Sequence, residues 1–177
     1  QFISFRLTPA YFMKFKLLEW PEIAEKNMTH SNIYPFKTRP YAHQRKAWEL
    51  SREKDEFALF MDMGTGKSKV IIDTIAWLYD KGRIDSALIV APKGVYQNWI
   101  RNEIPTHLPD HIVTQQAAWY SSPKKEQVKA IQNILTPTHD LRIFVMNVEA
   151  FSTSKGVKFA ESFMRCAGKC MMIVDES

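Results

Sequence analysis

"FALFMDMGTGKSKVI", Phe57 to Ile71, is the stretch that decides the fold. A short apolar run passes into two glycines, a lysine and a serine, and apolar residues then return at helical spacing. A strand that hands over to a helix through such a turn gathers free backbone N–H groups and the positive end of a helix dipole at one point. Binding a polyphosphate there needs glycine where a Cβ would obstruct the amides. It also needs a lysine for the β- and γ-phosphates and a hydroxyl for Mg2+. Gly64, Gly66, Lys67 and Ser68 supply these groups. The general pattern G-x-x-x-x-G-K-[ST] has one more glycine where Met61 stands, so the bare match is partial. The plainer alternative is a strand–helix turn whose glycines serve geometry alone.

Outward from this stretch, short continuous apolar runs alternate with helical patterns. The runs are "FALFM" (57–61), "ALIV" (87–90), "IFVM" (143–146) and "MMIV" (171–174), with a weaker one in "HIVTQQAAWY" (111–120). Continuous rather than alternating apolar character is how strands read when both faces of a sheet are covered. Ile71, Ile72, Ile75, Leu78 and Tyr79 repeat at threes and fours, as do Val95, Trp99 and Ile100. Ser122 and Pro123 suit the start of a helix whose stripe is Val128, Ile131, Ile134 and Leu135. Val157, Ala160, Phe163, Met164 and Ala167 form another stripe, closed by Gly168. Strand–helix alternation of this kind predicts an α/β fold with a parallel sheet. Residues 1–36, aromatic-rich without periodicity, read as an extension packed on that core.

The second chemical signal is "MMIVDES", in which Asp175 and Glu176 follow a buried-strand pattern. An aspartate there can hold the Mg2+ shell, and the adjacent glutamate can orient and deprotonate an attacking water. Together with Lys67, the pair turns nucleotide binding into nucleotide hydrolysis. The assigned groups are Lys67, Asp175 and Glu176 for catalysis, with Ser68 and Asp175 for the metal.

Bulk properties set the outer bounds. The 177 residues carry 45% hydrophobic and 24% charged side chains, an ordinary globular composition for one domain. A net charge of +5 fits a polyanionic partner. Two cysteines, Cys166 and Cys170, exclude a disulfide framework and make no zinc site. No apolar run approaches the ~18 residues of a membrane span. The start, "QFISFRLTPAYF", has no cleavable signal pattern. The expectation is a soluble, cytoplasmic protein of a bacterial or virus-infected cell, with association with the nucleoid left open.

Five stretches in order carry a family resemblance: "RPYAHQRKAWEL" (39–50), "MDMGTGKS" (61–68), "LIVAPKGVYQNW" (88–99), "VMNVEAF" (145–151) and "VDES" (174–177). Residues 39–177 thus resemble the first RecA-like lobe of superfamily-two helicases, most closely the Swi/Snf-type DNA translocases and their bacterial and viral relatives. The resemblance implies a RecA-like P-loop lobe over residues 37–177, with helices on both faces of the sheet. It implies that Gln44 reads adenine, that Tyr41 frames that pocket, and that Met63, Gly64, Thr65, Gly66, Lys67 and Ser68 hold the phosphates. Such loops tolerate a residue like Met61, although the family usually has Asp-Glu where Met61-Asp62 stands, which leaves any role for Asp62 open. Lys93, Gly94 and Asn147 become contacts to nucleic acid, with Glu149 nearby. ATP and Mg2+ are the implied cofactors. Duplex DNA and a second RecA-like lobe, bearing an arginine, are the implied partners. A chain stopping at the Asp-Glu box is expected to be a fragment that hydrolyses ATP hardly at all.

Two alternatives stay open at this level: an RNA helicase of the DEAD-box kind, and a nucleic-acid-binding module without turnover. The bland readings also stand for individual residues. Lys93 reads equally as a solvated loop lysine, Trp99 as core, and Lys124 and Lys125 as a solvated first turn.

Overall fold

The structure, a computed structural model, describes residues 2–7 and 34–175. Its frame is a six-stranded sheet in the order β2-β1-β6-β3-β5-β4. The strands are β1 (Phe2–Leu7), β2 (Glu56–Phe60), β3 (Ser86–Ala91), β4 (Thr114–Ala118), β5 (Leu141–Asn147) and β6 (Cys170–Asp175). The apolar runs at 57–61, 87–90, 143–146 and 171–174 are β2, β3, β5 and β6, and the weaker run yields β4. Strands β6, β3, β5 and β4 form a parallel sheet of four. β3 and β5 carry six buried residues each because helices cover both faces.

Alternation along β3 sorts the core into two layers. Ala87, Ile89 and Ala91 face one side. There they meet α1 (Ala42–Ser51) and α2 (Lys67–Asp80). The same layer takes the residues of a composite segment of α3 (Tyr96–Asn98), a π-helical turn (Trp99–Glu103) and α4 (Ile104–His107). Leu88 and Val90 face the other side, against α5 (Lys125–Leu135) and α6 (Ser154–Cys166). On that side Phe144 packs its ring 5.0 Å from Phe159 and 5.5 Å from Phe163. Such pairs add about 0.5–1.5 kcal/mol each beyond the area they bury.

Three details depart from the sequence expectations. Residues 2–7, placed by sequence in an extension packed on the core, instead form a strand inside the sheet, antiparallel to both β2 and β6. Residues 8–33 lie outside the described residues. Tyr34 and Phe36 belong to the core, with ring centroids 5.7 and 4.9 Å from Trp48. Helix α5 starts at Lys125 rather than beside Pro123, because Gln127 Oε1 caps the Lys124 N–H at 2.7 Å. Gly168 does follow α6, but it does not take the left-handed conformation of a helix-ending glycine. A Cβ there would lie 2.7 Å from Asp85 Oδ2, which instead accepts the Gly168 N–H at 3.0 Å.

β1 reads out the geometry of the sheet edge. Ile3 pairs with Leu59 on one side and Asp175 on the other, so these two residues stand level. With strands ~4.8 Å apart, β2 and β6 are separated by about 10 Å. The C-terminal ends of β2, β3, β5 and β6 all open on this one edge, where ligands of open α/β sheets bind.

Candidate nucleotide-binding site

The loop between β2 and α2 is built by main-chain carbonyls turned inward. Asp62 O accepts from Thr65 Oγ1 at 2.6 Å, from Thr65 N at 3.4 Å and from Lys67 Nζ at 3.0 Å. Met61 O takes a second Lys67 N–H at 3.0 Å. This gives Asp62 a role through its backbone while its side chain stays exposed. Lys67 is 8% exposed, so its ammonium lies inside the loop. Of its three N–H donors, these two bonds leave one for a further acceptor.

Glycine is required at Gly66 on two grounds. Its φ of +83° lies in the left-handed region, and a Cβ would meet Gln44 Nε2 at 2.2 Å. Gly64 also has positive φ, with open space around it. Helix α2 starts at Lys67, directly after Gly66, so its first amides and its dipole face this loop. A cradle that a Cβ would fill, a buried ammonium and a helix N-terminus together fit a polyphosphate. Ser68, half-buried, is the second residue of that helix.

Gln44 closes the cradle from α1. Its Oε1 accepts the Tyr41 N–H at 3.0 Å, capping α1, and its Nε2 donates to Thr65 O at 3.0 Å. His43 Nε2 also lies 3.0 Å from Thr65 O. The Tyr41 ring, 71% exposed, stacks on His43 with centroids 5.9 Å apart and planes 13° apart. Met63, 75% exposed, stands at the loop tip. His43 escaped the sequence reading, although its place beside Gln44 on the first turn of α1 was the available signal.

Asp175 ends β6 and is 2% exposed. Trp99 Nε1–H donates to its Oδ2 at 3.1 Å. Trp99, which the sequence suggests is core, is indeed buried, but its indole N–H has this carboxylate as partner. The signal was present in principle, since a buried indole N–H usually finds an acceptor. Glu103 comes from the same π-helical turn. Burial pushes its carboxyl above the ordinary value, Asn98 Nδ2 donating at 3.1 Å pulls it back, and the negative charge of Asp175 adds to the rise. Glu176 lies outside the described residues.

A second group gathers further along the same edge. Ala91 and Asn147 are paired in register, so the loops after β3 and β5 are neighbours. Lys93 and Gly94 are exposed in the first. In the second, Asn147 Nδ2 donates to Glu149 Oε2 at 2.8 Å. The Glu149 carboxyl is held below its usual value by its own backbone N–H and Asn147, with a further contribution from the Lys93 charge. Lys93, Gly94 and Asn147 therefore share one surface, with Glu149 as a negative charge inside it.

Behind the loop, Lys69 Nζ and Asp73 Oδ2 form a buried pair at 2.8 Å on one face of α2. Burial pushes the Asp73 carboxyl up to about 6, and Lys69 only partly offsets this.

Sheet order, edge loop and level carboxylate define the class: an α/β P-loop lobe of RecA-like architecture. A family profile described as type III restriction enzyme, res subunit, matches residues 33–177. The chain belongs to that family, whose domain is a superfamily-two, helicase-like ATPase domain acting on nucleic acid. A search of curated proteins gives no match. Among the described residues no helix is long and apolar enough to cross a membrane.

Proposed function

We propose that this lobe binds ATP with Mg2+ and contributes the phosphate-binding half of a motor that moves on duplex DNA in the manner of Swi/Snf-like translocases. The single observation that carries the proposal is the level placement of Leu59 and Asp175. It sets the strand that leads into the Lys67 loop and the strand that ends at Asp175 about 10 Å apart on one edge, which supports a polyphosphate and its ion lying between them.

Lys67, the α2 amides and the glycine turn bind and orient the β- and γ-phosphates. Ser68 and Asp175 are the residues that would hold Mg2+, which when bound neutralises charge developing on the transferred phosphoryl group. Glu176, next to Asp175, orients the attacking water and takes its proton. Tyr41 and Gln44 bound the adenine side, and Gln44 ties that side to the phosphate loop through Thr65. Lys93, Gly94 and Asn147 form the nucleic-acid surface. An arginine from a second RecA-like lobe would supply the remaining positive charge at the transition state.

The test is ATP hydrolysis by the protein that carries this lobe, measured with duplex DNA, single-stranded DNA or RNA, and in Lys67→Ala. Duplex DNA should stimulate most, and the variant should lose the stimulated rate. Stronger activation by RNA would move the protein to the RNA-helicase reading. Turnover that survives Lys67→Ala would remove the proposal.

A further inference from the structure

Trp99 brings a hydrogen-bond donor into an apolar interior and delivers it to a carboxylate. The side chain is 1% exposed and its N–H meets Asp175 Oδ2 at 3.1 Å. Burial of an indole does not produce such a contact by itself. Trp48 is almost equally buried, yet its Nε1 has no hydrogen-bond partner among the described residues.

The delivery depends on an irregular turn. Pro105 has no N–H to give Arg101, and in a regular α-helix its ring would collide with that carbonyl. The chain widens instead, and the Ile104 N–H reaches back five residues to Trp99 O. A π-helical turn of this kind re-aims the side chains it carries and occurs often at functional sites. Only α3 separates it from the loop that holds Lys93 and Gly94.

We infer that Trp99 is a positioning residue for Asp175: its N–H engages Oδ2 and fixes the plane of the carboxylate that meets the Mg2+ shell. This rests on the reading of Asp175 as a metal-holding group. Partners of this kind orient a metal ligand without touching the metal, and their loss weakens metal affinity about 10- to 100-fold.

The experiment replaces Trp99 in the whole chain with 3-benzothienylalanine, which keeps the ring shape but has sulfur in place of N–H. Trp99→Phe is the second variant. Binding of a fluorescent ATP analogue is measured without metal and across a Mg2+ titration, alongside thermal melting. The expected result for the isostere is a Mg2+ half-saturation raised about tenfold, with metal-free nucleotide affinity and melting unchanged. Should Trp99→Phe melt early through lost packing, the isostere still decides. A half-saturation within about twofold of wild type overturns the inference while the site reading stands. So does an equal loss of binding with and without metal, which assigns Trp99 to packing. A wild-type chain without any Mg2+-dependent nucleotide binding sinks the site reading and this inference together.

Discussion

Gln44 Nε2 donates to Thr65 O at 3.0 Å, and the same nitrogen stands where a side chain on Gly66 would have to go. Helix α1 and the phosphate loop are therefore fitted to each other at a single glycine. Gly66→Ala should cost about 1–3 kcal/mol from its positive φ alone, and should displace the Gln44 carboxamide as well. Nucleotide titration and thermal melting of Gly66→Ala, Gln44→Ala and the double variant separate the two effects. The double variant should recover the part due to collision but keep the part due to φ. Strict additivity of the two losses would show that the side chains do not interfere.

Lys67→Ala removes the ammonium held inside the loop by the carbonyls of Met61 and Asp62. Hydrogen bonds from a charged group contribute about 1.5–3 kcal/mol, so Mg·ATP affinity should fall about 10- to 100-fold. Melting should change little, because the carbonyls of Met61 and Asp62 that it leaves lie beside solvent-exposed residues of the loop. Isothermal titration reads the first quantity and calorimetry the second.

On the nucleic-acid surface, charge sets the sign. Lys93→Ala should weaken DNA binding and reduce the slope of log affinity against log salt by about one phosphate contact. Glu149→Gln should act oppositely, because it removes a negative charge beside Lys93. Both should leave nucleotide affinity unchanged. Fluorescence anisotropy at several salt concentrations checks this, and identical salt slopes in all three proteins would place the nucleic acid elsewhere.

Asp73 gives a pH signature. Its folded carboxyl titrates at about 6 against an ordinary 3.8, so between these values the folded state binds more protons than the unfolded. The contribution of this group is fully present below the lower value and is lost as pH rises through the upper one. Urea unfolding of the wild type and Asp73→Asn, measured from about pH 4 to 7, should show the variant gaining relative to the wild type across that window. Parallel pH curves would contradict the assignment.

Much of the fold could be read from the chain because it is written locally. β2, β3, β5 and β6 announce themselves as unbroken apolar runs, and in β3 and β5 burial on both faces is what makes them unbroken, whereas β2 leaves Phe60 exposed. The phosphate loop was equally open, since Gly64, Gly66, Lys67 and Ser68 are neighbours in sequence. What stayed hidden was decided by distant partners. β1 has no periodicity to reveal it, and its pairing depends on residues near 59 and 175. The bond from Trp99 to Asp175 links elements far apart in the chain, and the π-helical turn that aims it has no simple sequence period. Gln44 was found by resemblance, whereas its hold on Thr65 O required coordinates.

The seam made by β1 also governs the order in which the molecule can be assembled. Among the described strands, β2 and β6 touch β1 and not each other. The phosphate loop and Asp175 thus come into register only when β1 pairs with both β2 and β6. Closing so long a loop is among the slowest contacts a chain makes. During synthesis the glycine turn, Lys67 and α2 are all in place long before Asp175 emerges. Until then, among the described strands, β1 has only β2 to pair with. The nucleotide site is therefore completed late, when β1 holds β2 on one side and β6 on the other.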